Sequence, residues 1–149
     1  MTGAATLPAG VIGWPISHSL SPRLHGFWLR QLGIDGSYEA IAVEPDSLEE
    51  FIRGLPAAGL RGVNVTLPHK EQVPAFCDSV TDMARRIGAV NTVIVGEDGR
   101  LTGDNTDAYG FRKNLVKSRA WPKAESGPAV VLGAGGAARA IACALADMG

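Results

Sequence analysis

Three residues with chemical capability share one stretch, Gly62-Val63-Asn64-Val65-Thr66-Leu67-Pro68-His69-Lys70. Its aliphatic residues predict a strand over 63–67 that Pro68 ends. Asn64 and Thr66 are two apart and therefore share a face. Two hydrogen-bonding side chains on one face of a short apolar strand cost free energy unless partnered. Lys70 follows just past the strand end, where open α/β sheets place their ligand crevice. An edge strand with a solvated face and a surface lysine would carry the same residues.

Two further clusters stand beside predicted element ends. Ser17 and Ser19 fall between a predicted strand over 11–14, stopped by Pro15, and a helix opened by Ser21 and Pro22. Backbone N–H groups and hydroxyls converge in such a loop and suit an anion; a Ser-x-Ser pair that merely caps and turns the chain is the commoner case. Asp104-Asn105-Thr106-Asp107 precede a helix with Ala108, Phe111, Leu115 and Val116 on one side. One of the four must cap that helix, and four in a row exceed what capping requires. Near the end, Gly133-Ala134-Gly135-Gly136-Ala137-Ala138 follows a predicted strand over 129–132 and opens an alanine-rich helix. This is the dinucleotide pattern G-x-G-x-x-A in its required setting: glycines for the tight turn and the pyrophosphate, a small residue for helix–strand packing.

The elements that must hold these residues alternate. Leu24, Phe27, Trp28 and Leu32 predict an apolar helix stripe that Gly33 stops, and residues 38–43 predict a strand. Asp46 with Glu49 resembles a capping box for a helix carrying Leu48, Phe51, Ile52 and Leu55. Pro74 disturbs a short helical piece over 75–77, and Thr81 caps a helix closed by Gly88. Residues 89–95 and 100–102 predict strands joined by a hairpin at Glu97-Asp98-Gly99, so one antiparallel pair joins an otherwise βα-type sheet. A linker is expected over 117–128. The fold class is α/β: a mostly parallel sheet flanked by helices, then the first βα unit of an incomplete Rossmann-like domain.

Bulk properties narrow the function. With 149 residues, 46% hydrophobic and 19% charged, the chain can bury one good core. A net charge of −1 makes no case for nucleic acid or an anionic membrane as partner. Two cysteines, Cys77 and Cys143, form no disulfide framework, so a reducing cytoplasm is expected. His18, His25 and His69 lack ligand spacing and no metal is expected. His25 reads as packed, His69 as solvent-facing, Trp14, Trp28 and Phe51 as core, and Arg85 and Arg86 as a solvated helix face. The 129–149 segment holds one βα unit where a dinucleotide fold needs more, so the chain reads as a fragment. A sheet edge left open in this way could drive self-association into a homodimer.

Five stretches in order resemble the shikimate dehydrogenase family: 17–22, 64–70, 88–92, 103–107 and 133–137. The resemblance implies reversible reduction of 3-dehydroshikimate to shikimate with NADPH. It implies that Ser17 and Ser19 hold the substrate carboxylate and that Asn64, Thr66, Asn91 and Asp107 surround the ring hydroxyls. Lys70 and Asp107 would be the catalytic pair: Lys70 polarises and protonates the carbonyl oxygen, while Asp107 orients it and binds a hydroxyl. Gly133, Ala134, Gly135, Gly136 and Ala137 would bind NADP. It divides the chain into a shikimate-binding catalytic domain (1–104) and a linking helix with the start of an NADP-binding domain (105–149). A quinate/shikimate dehydrogenase is the nearest alternative, and a non-catalytic metabolite-sensing domain is the alternative from another class. The residue that would distinguish NAD from NADP lies past Gly149.

Overall fold

In the computed structural model, residues 6–117 and 128–149 are described. The expected linker over 117–128 therefore lies, apart from its two ends, outside the described residues. Six strands form one sheet: β1 (Leu7–Gly13), β2 (Gly36–Ala42), β3 (Gly62–Val65), β4 (Ser79–Val80), β5 (Thr92–Val95) and β6 (Leu101–Asp104). Their order is β2-β1-β3-β5-β6-β4. β1 is parallel to β2 and to β3, β4 is parallel to β6, and β5 runs antiparallel between β3 and β6. β5 alone is reversed, so its first residue, Thr92, meets Asn64 and Asp104 at the C-terminal ends of β3 and β6.

The helices are α1 (Ser21–Leu32), α2 (Leu48–Gly54), α3 (Asp82–Ile87), α4 (Asp107–Lys117) and α5 (Gly136–Ala146). Thr81 caps α3 as expected, its hydroxyl accepting from the Ala84 N–H at 3.2 Å. Gly33 and Gly88 end α1 and α3 with φ of 62° and 70°, a conformation that glycine reaches without steric cost. The capping box at Asp46 is not formed. A 3-10 turn over Pro45–Ser47 leads into α2 instead. Leu48, Ile52 and Leu55 nonetheless pack with Ile12, Val63, Val65 and Val93 in the main core on one face of the sheet. Each such burial contributes roughly 1.5–3 kcal/mol.

Three expectations about the sheet and helix faces are corrected. β1 starts at Leu7 rather than 11, because residues 7–10 pair in register with 36–39. Residues 129–132 form no strand. Val130 and Leu132 are 83% and 93% exposed, and without a neighbouring strand an extended segment has no ladder to complete. The α1 stripe of Leu24, Phe27, Trp28 and Leu32 is exposed, as is Trp14. α1 instead turns His25 and Leu29 towards the sheet, where they line an open apolar groove with Leu7, Ala9, Tyr38 and Ile94. No helix among the described residues is long and apolar enough to cross a membrane.

Cys77 packs against the main core and donates its S–H to the Val73 carbonyl at 3.5 Å. Burial, with a smaller contribution from Asp78, pushes its thiol up to about 11. At pH 8 about one Cys77 in a thousand is then thiolate. Alkylation of the folded protein, followed by peptide mass mapping, should therefore be slow at Cys77 and become fast on unfolding. The unfolded thiol ionises first as pH rises, so this residue's contribution to stability is complete below the ordinary thiol range and falls as pH climbs towards 11.

Candidate active site

The reversed β5 decides which side chains meet. β3 ends at Val65, and Thr66-Leu67-Pro68 lead into a 3-10 turn over His69–Glu71 that carries Lys70. The turn is pinned from below. His69 is 0% exposed, and its Nε2–H donates to the Val43 carbonyl at 2.8 Å. This overturns the expected solvent-facing His69: a 3-10 turn rotates successive side chains by about 120°, so Lys70 and its neighbour His69 face different ways and His69 enters the core. His69 Nδ1 is buried without a hydrogen-bond partner. The Lys70 carbonyl accepts from the Val90 N–H at 2.8 Å, which ties the turn to the entry of β5.

Lys70 Nζ lies 2.7 Å from Asp107 Oδ2, with side chains 14% and 30% exposed. Asp107 opens α4, and its N–H donates to Asn105 Oδ1 at 3.0 Å. The other carboxylate oxygen accepts from Asn91 Nδ2 at 2.7 Å. Asn91 Oδ1 in turn accepts from the Thr106 N–H at 3.0 Å and from the Thr92 hydroxyl at 2.9 Å. Thr92 accepts from Asn64 Nδ2 at 3.2 Å, and Asn64 Oδ1 accepts from the Tyr38 hydroxyl at 2.6 Å. Lys70, Asp107, Asn91 and Asn64 thus belong to one continuous hydrogen-bonded cluster. Tyr38, Thr92, Asn105 and Thr106 complete it. Of these, only Asn105 and Thr106 left a trace in the sequence, as part of the run that exceeded capping.

The remaining expected residues are not members of this cluster. Thr66 continues β3, its N–H donating to the Ile12 carbonyl at 2.9 Å. A Cβ on Gly13 would lie 2.7 Å from the Thr66 methyl, so glycine lets β1 and Thr66 approach closely. Ser17 is exposed in the loop after β1. Ser19 Oγ accepts from the Ser21 N–H at 3.3 Å, which is the turn-forming use weighed from the sequence.

α5 begins directly against the lysine turn. A Cβ on Gly136 would lie 3.0 Å from the Ala89 Cβ and 3.2 Å from the Lys70 Cβ, and Gly136 is buried. Within the five-residue loop, Gly136 therefore serves close packing on Lys70. Gly133, with φ of +115°, makes the turn. Gly135 precedes a helix start that no side chain caps, so the first N–H groups of α5 are available to an anion. Arg139 pairs with Glu71 at 2.7 Å and donates through Nε to the Ala134 carbonyl at 3.1 Å. The pairing neutralises the Glu71 carboxylate, which lies beside Gly135, and the loop fits a dinucleotide phosphate. Gly136→Val should force α5 off Lys70 and Ala89. It should cost about 1–3 kcal/mol of stability by overpacking and lower turnover of the intact protein, as denaturant midpoints and initial rates would show.

Comparison with known proteins identifies the family. The family model described as the shikimate dehydrogenase substrate binding domain matches residues 11–93. A shikimate dehydrogenase (NADP(+)) of Paramagnetospirillum magneticum is 60% identical over 149 residues, covering 100% of this chain and 54% of the relative. One of Rhodospirillum rubrum is 59% identical, covering 100% of this chain and 52% of the relative. The crystal structure of shikimate 5-dehydrogenase from Thermus thermophilus in complex with NADP(H) and shikimate superposes with a TM-score of 0.87 at 49% identity, over 97% of this chain and 53% of that one. The chain spans about half the length of the curated relatives it matches. The family model covers more than half of the chain, from within β1 into β5, and places this chain in the shikimate dehydrogenase family.

Proposed function

We propose that this chain supplies the substrate site of an enzyme that interconverts 3-dehydroshikimate and shikimate with NADP. The observation that carries the reading is the Lys70–Asp107 pair at 2.7 Å, held from its other side by Asn91. Reducing a ketone develops negative charge on its oxygen, and a cation that can also give a proton stabilises that charge. Lys70 Nζ takes this role, while Asp107 and Asn91 keep the ammonium aimed and bind a ring hydroxyl. Asn64 and Thr66 pair further hydroxyls, so analogues lacking them leave buried polar groups unpaired and are rejected. Ser17 and Ser19 take the carboxylate. Bound NADPH supplies the reducing equivalent, and Gly133, Ala134, Gly135 and Ala137 hold its phosphates at the start of α5.

On this reading residues 1–104 are the substrate domain, and 105–149 are a linking helix with the start of the cofactor domain. The work belongs in the reducing cytoplasm, with a small molecule as partner. A sensor has no need of a proton donor locked on a carboxylate, which favours an enzyme. Serine at both 17 and 19 favours shikimate over quinate.

The test has two parts. Amide NMR of this chain titrated with shikimate, without NADP⁺, should give saturable shifts around Ser17, Thr66, Asn91 and Asp107. The intact protein should couple oxidation of shikimate to reduction of NADP⁺. A protein that turns over quinate in preference, or neither acid, overturns the assignment.

A further inference from the structure

Tyr38 is on β2, two strands away from Asn64 on β3. It pairs in register with Ala9 of β1, and Ala9 pairs with Gly62 of β3. Those two residues are among the smallest available, so a long side chain can lie across β1 and reach β3 (neighbouring strands are about 4.8 Å apart). The phenol does so and ends 2.6 Å from Asn64 Oδ1. Its ring is held flat by His25 of α1, with centroids 3.9 Å apart and an interplanar angle of 8°. Trp28 meets the far side of this stack edge-on to His25, at 5.2 Å.

Asparagine's two ends have nearly the same shape and opposite hydrogen-bonding character. Which end faces a ligand decides whether the site donates or accepts. Here the ends are distinguishable. The Asn91 carbonyl, which can only accept, lies 3.5 Å from one end and identifies it as Nδ2. The Thr92 hydroxyl donates its one hydrogen to Asn91 Oδ1 at 2.9 Å and therefore accepts from Asn64 Nδ2, which leaves the other end as the Oδ1 to which the Tyr38 hydroxyl donates at 2.6 Å. We propose that Tyr38 is a positioning residue of the substrate site, its hydroxyl holding the Asn64 amide in the one orientation that suits a ring hydroxyl. The inference rests on the proposed reading of Asn64 as substrate-facing. Held in this way, Asn64 keeps a second lone pair on Oδ1 and a hydrogen aimed only loosely at Asn91. That adjacent acceptor and donor match an alcohol, which needs both. A flipped amide would turn its oxygen towards the Asn91 carbonyl, lose its bond to Thr92 and forgo the donated Tyr38 hydrogen.

Tyr38→Phe removes one oxygen and leaves the His25 stack. In the intact protein the variant should melt with the parent and raise KM for shikimate about tenfold, while kcat stays within about twofold. In an Asn64→Ala background the same change should add nothing, because its route to the substrate has gone. An equal KM rise in that background overturns the proposal, as does an unchanged KM in the Tyr38→Phe protein alone. The orientation itself is read without substrate. The Asn64 side-chain amide protons of this chain should shift and exchange faster in Tyr38→Phe, and identical signals overturn the proposal. A parent protein inert towards shikimate overturns the function reading alone, since the amide signals still judge the orientation.

Discussion

Lys70→Ala in the intact protein should lower kcat about 10³-fold, with KM for shikimate changed by only a few-fold. A positioned proton donor contributes about 10²–10⁴ to rate, and its interaction with the oxygen strengthens as charge develops there, so the loss falls on kcat rather than on binding. Folding should survive. The Asp107 carboxylate keeps its bond to Asn91 Nδ2, and its side chain is 30% exposed, so water can reach the charge that Lys70 leaves behind. The destabilisation should therefore stay well below the roughly 3–5 kcal/mol of a fully buried pair broken on one side. Steady-state kinetics with a melting curve on the same sample check both halves. Near-normal turnover would remove Lys70 from the chemistry, and the proposed mechanism with it.

The second large effect should come from a residue that touches no ligand. Asn105 is 3% exposed, and its side chain bridges two backbone groups. Nδ2 donates to the Ala89 carbonyl at 2.9 Å, and Oδ1 accepts from the Asp107 N–H at 3.0 Å. Asn105→Ala leaves the buried Ala89 carbonyl without this partner, at about 1–3 kcal/mol, and the part-buried Asp107 N–H at about 1 kcal/mol, so a total loss of about 2–4 kcal/mol is expected. It also frees the first residue of α4, which is Asp107 itself, so turnover should fall with stability. Asn105→Asp keeps the acceptor but buries a carboxylate oxygen against the Ala89 carbonyl, and should be at least as destabilising as Asn105→Ala. Urea midpoints for the three proteins would show the order. Equal midpoints for parent and Asn105→Ala would mean that the corner at 104–107 is held by something else.

Legibility in the sequence followed the range of the physics involved. Thr81, Gly33 and Gly88 were readable because a cap is settled within four residues. Asn64, Lys70 and Asp107 were readable because each interrupts a local pattern: polar on an apolar strand, a cation at a strand end, an excess of short polar side chains. His69 was misread because its partner, the Val43 carbonyl, is 26 residues away. Tyr38 and Thr92 look like ordinary strand residues until the strand order brings β2 and β5 to either side of Asn64. The α1 stripe fails for a different reason. Periodicity tells which residues share a face, and it is silent on whether anything covers that face. The segment 129–132 has strand composition, but composition cannot supply the neighbour a ladder requires.

α5 meets the rest of the molecule along Gly136, Ala140 and Ala144, against Ala89, Ala108 and Ile87, with Phe111 and Cys143 at the margin. A seam made mostly of methyl groups has no deep interlocking ridges. Small translations along it forfeit little contact, which is the condition for shear rather than hinge motion. Two ion pairs near the surface, Arg139–Glu71 and Arg86–Asp147, bracket the seam at either end of α5 and act as its stops. Raised salt should loosen these stops while leaving the sheet intact. The helix that starts at the glycine loop would then slide over the lysine stem, which stays tied to the sheet through the Lys70 carbonyl.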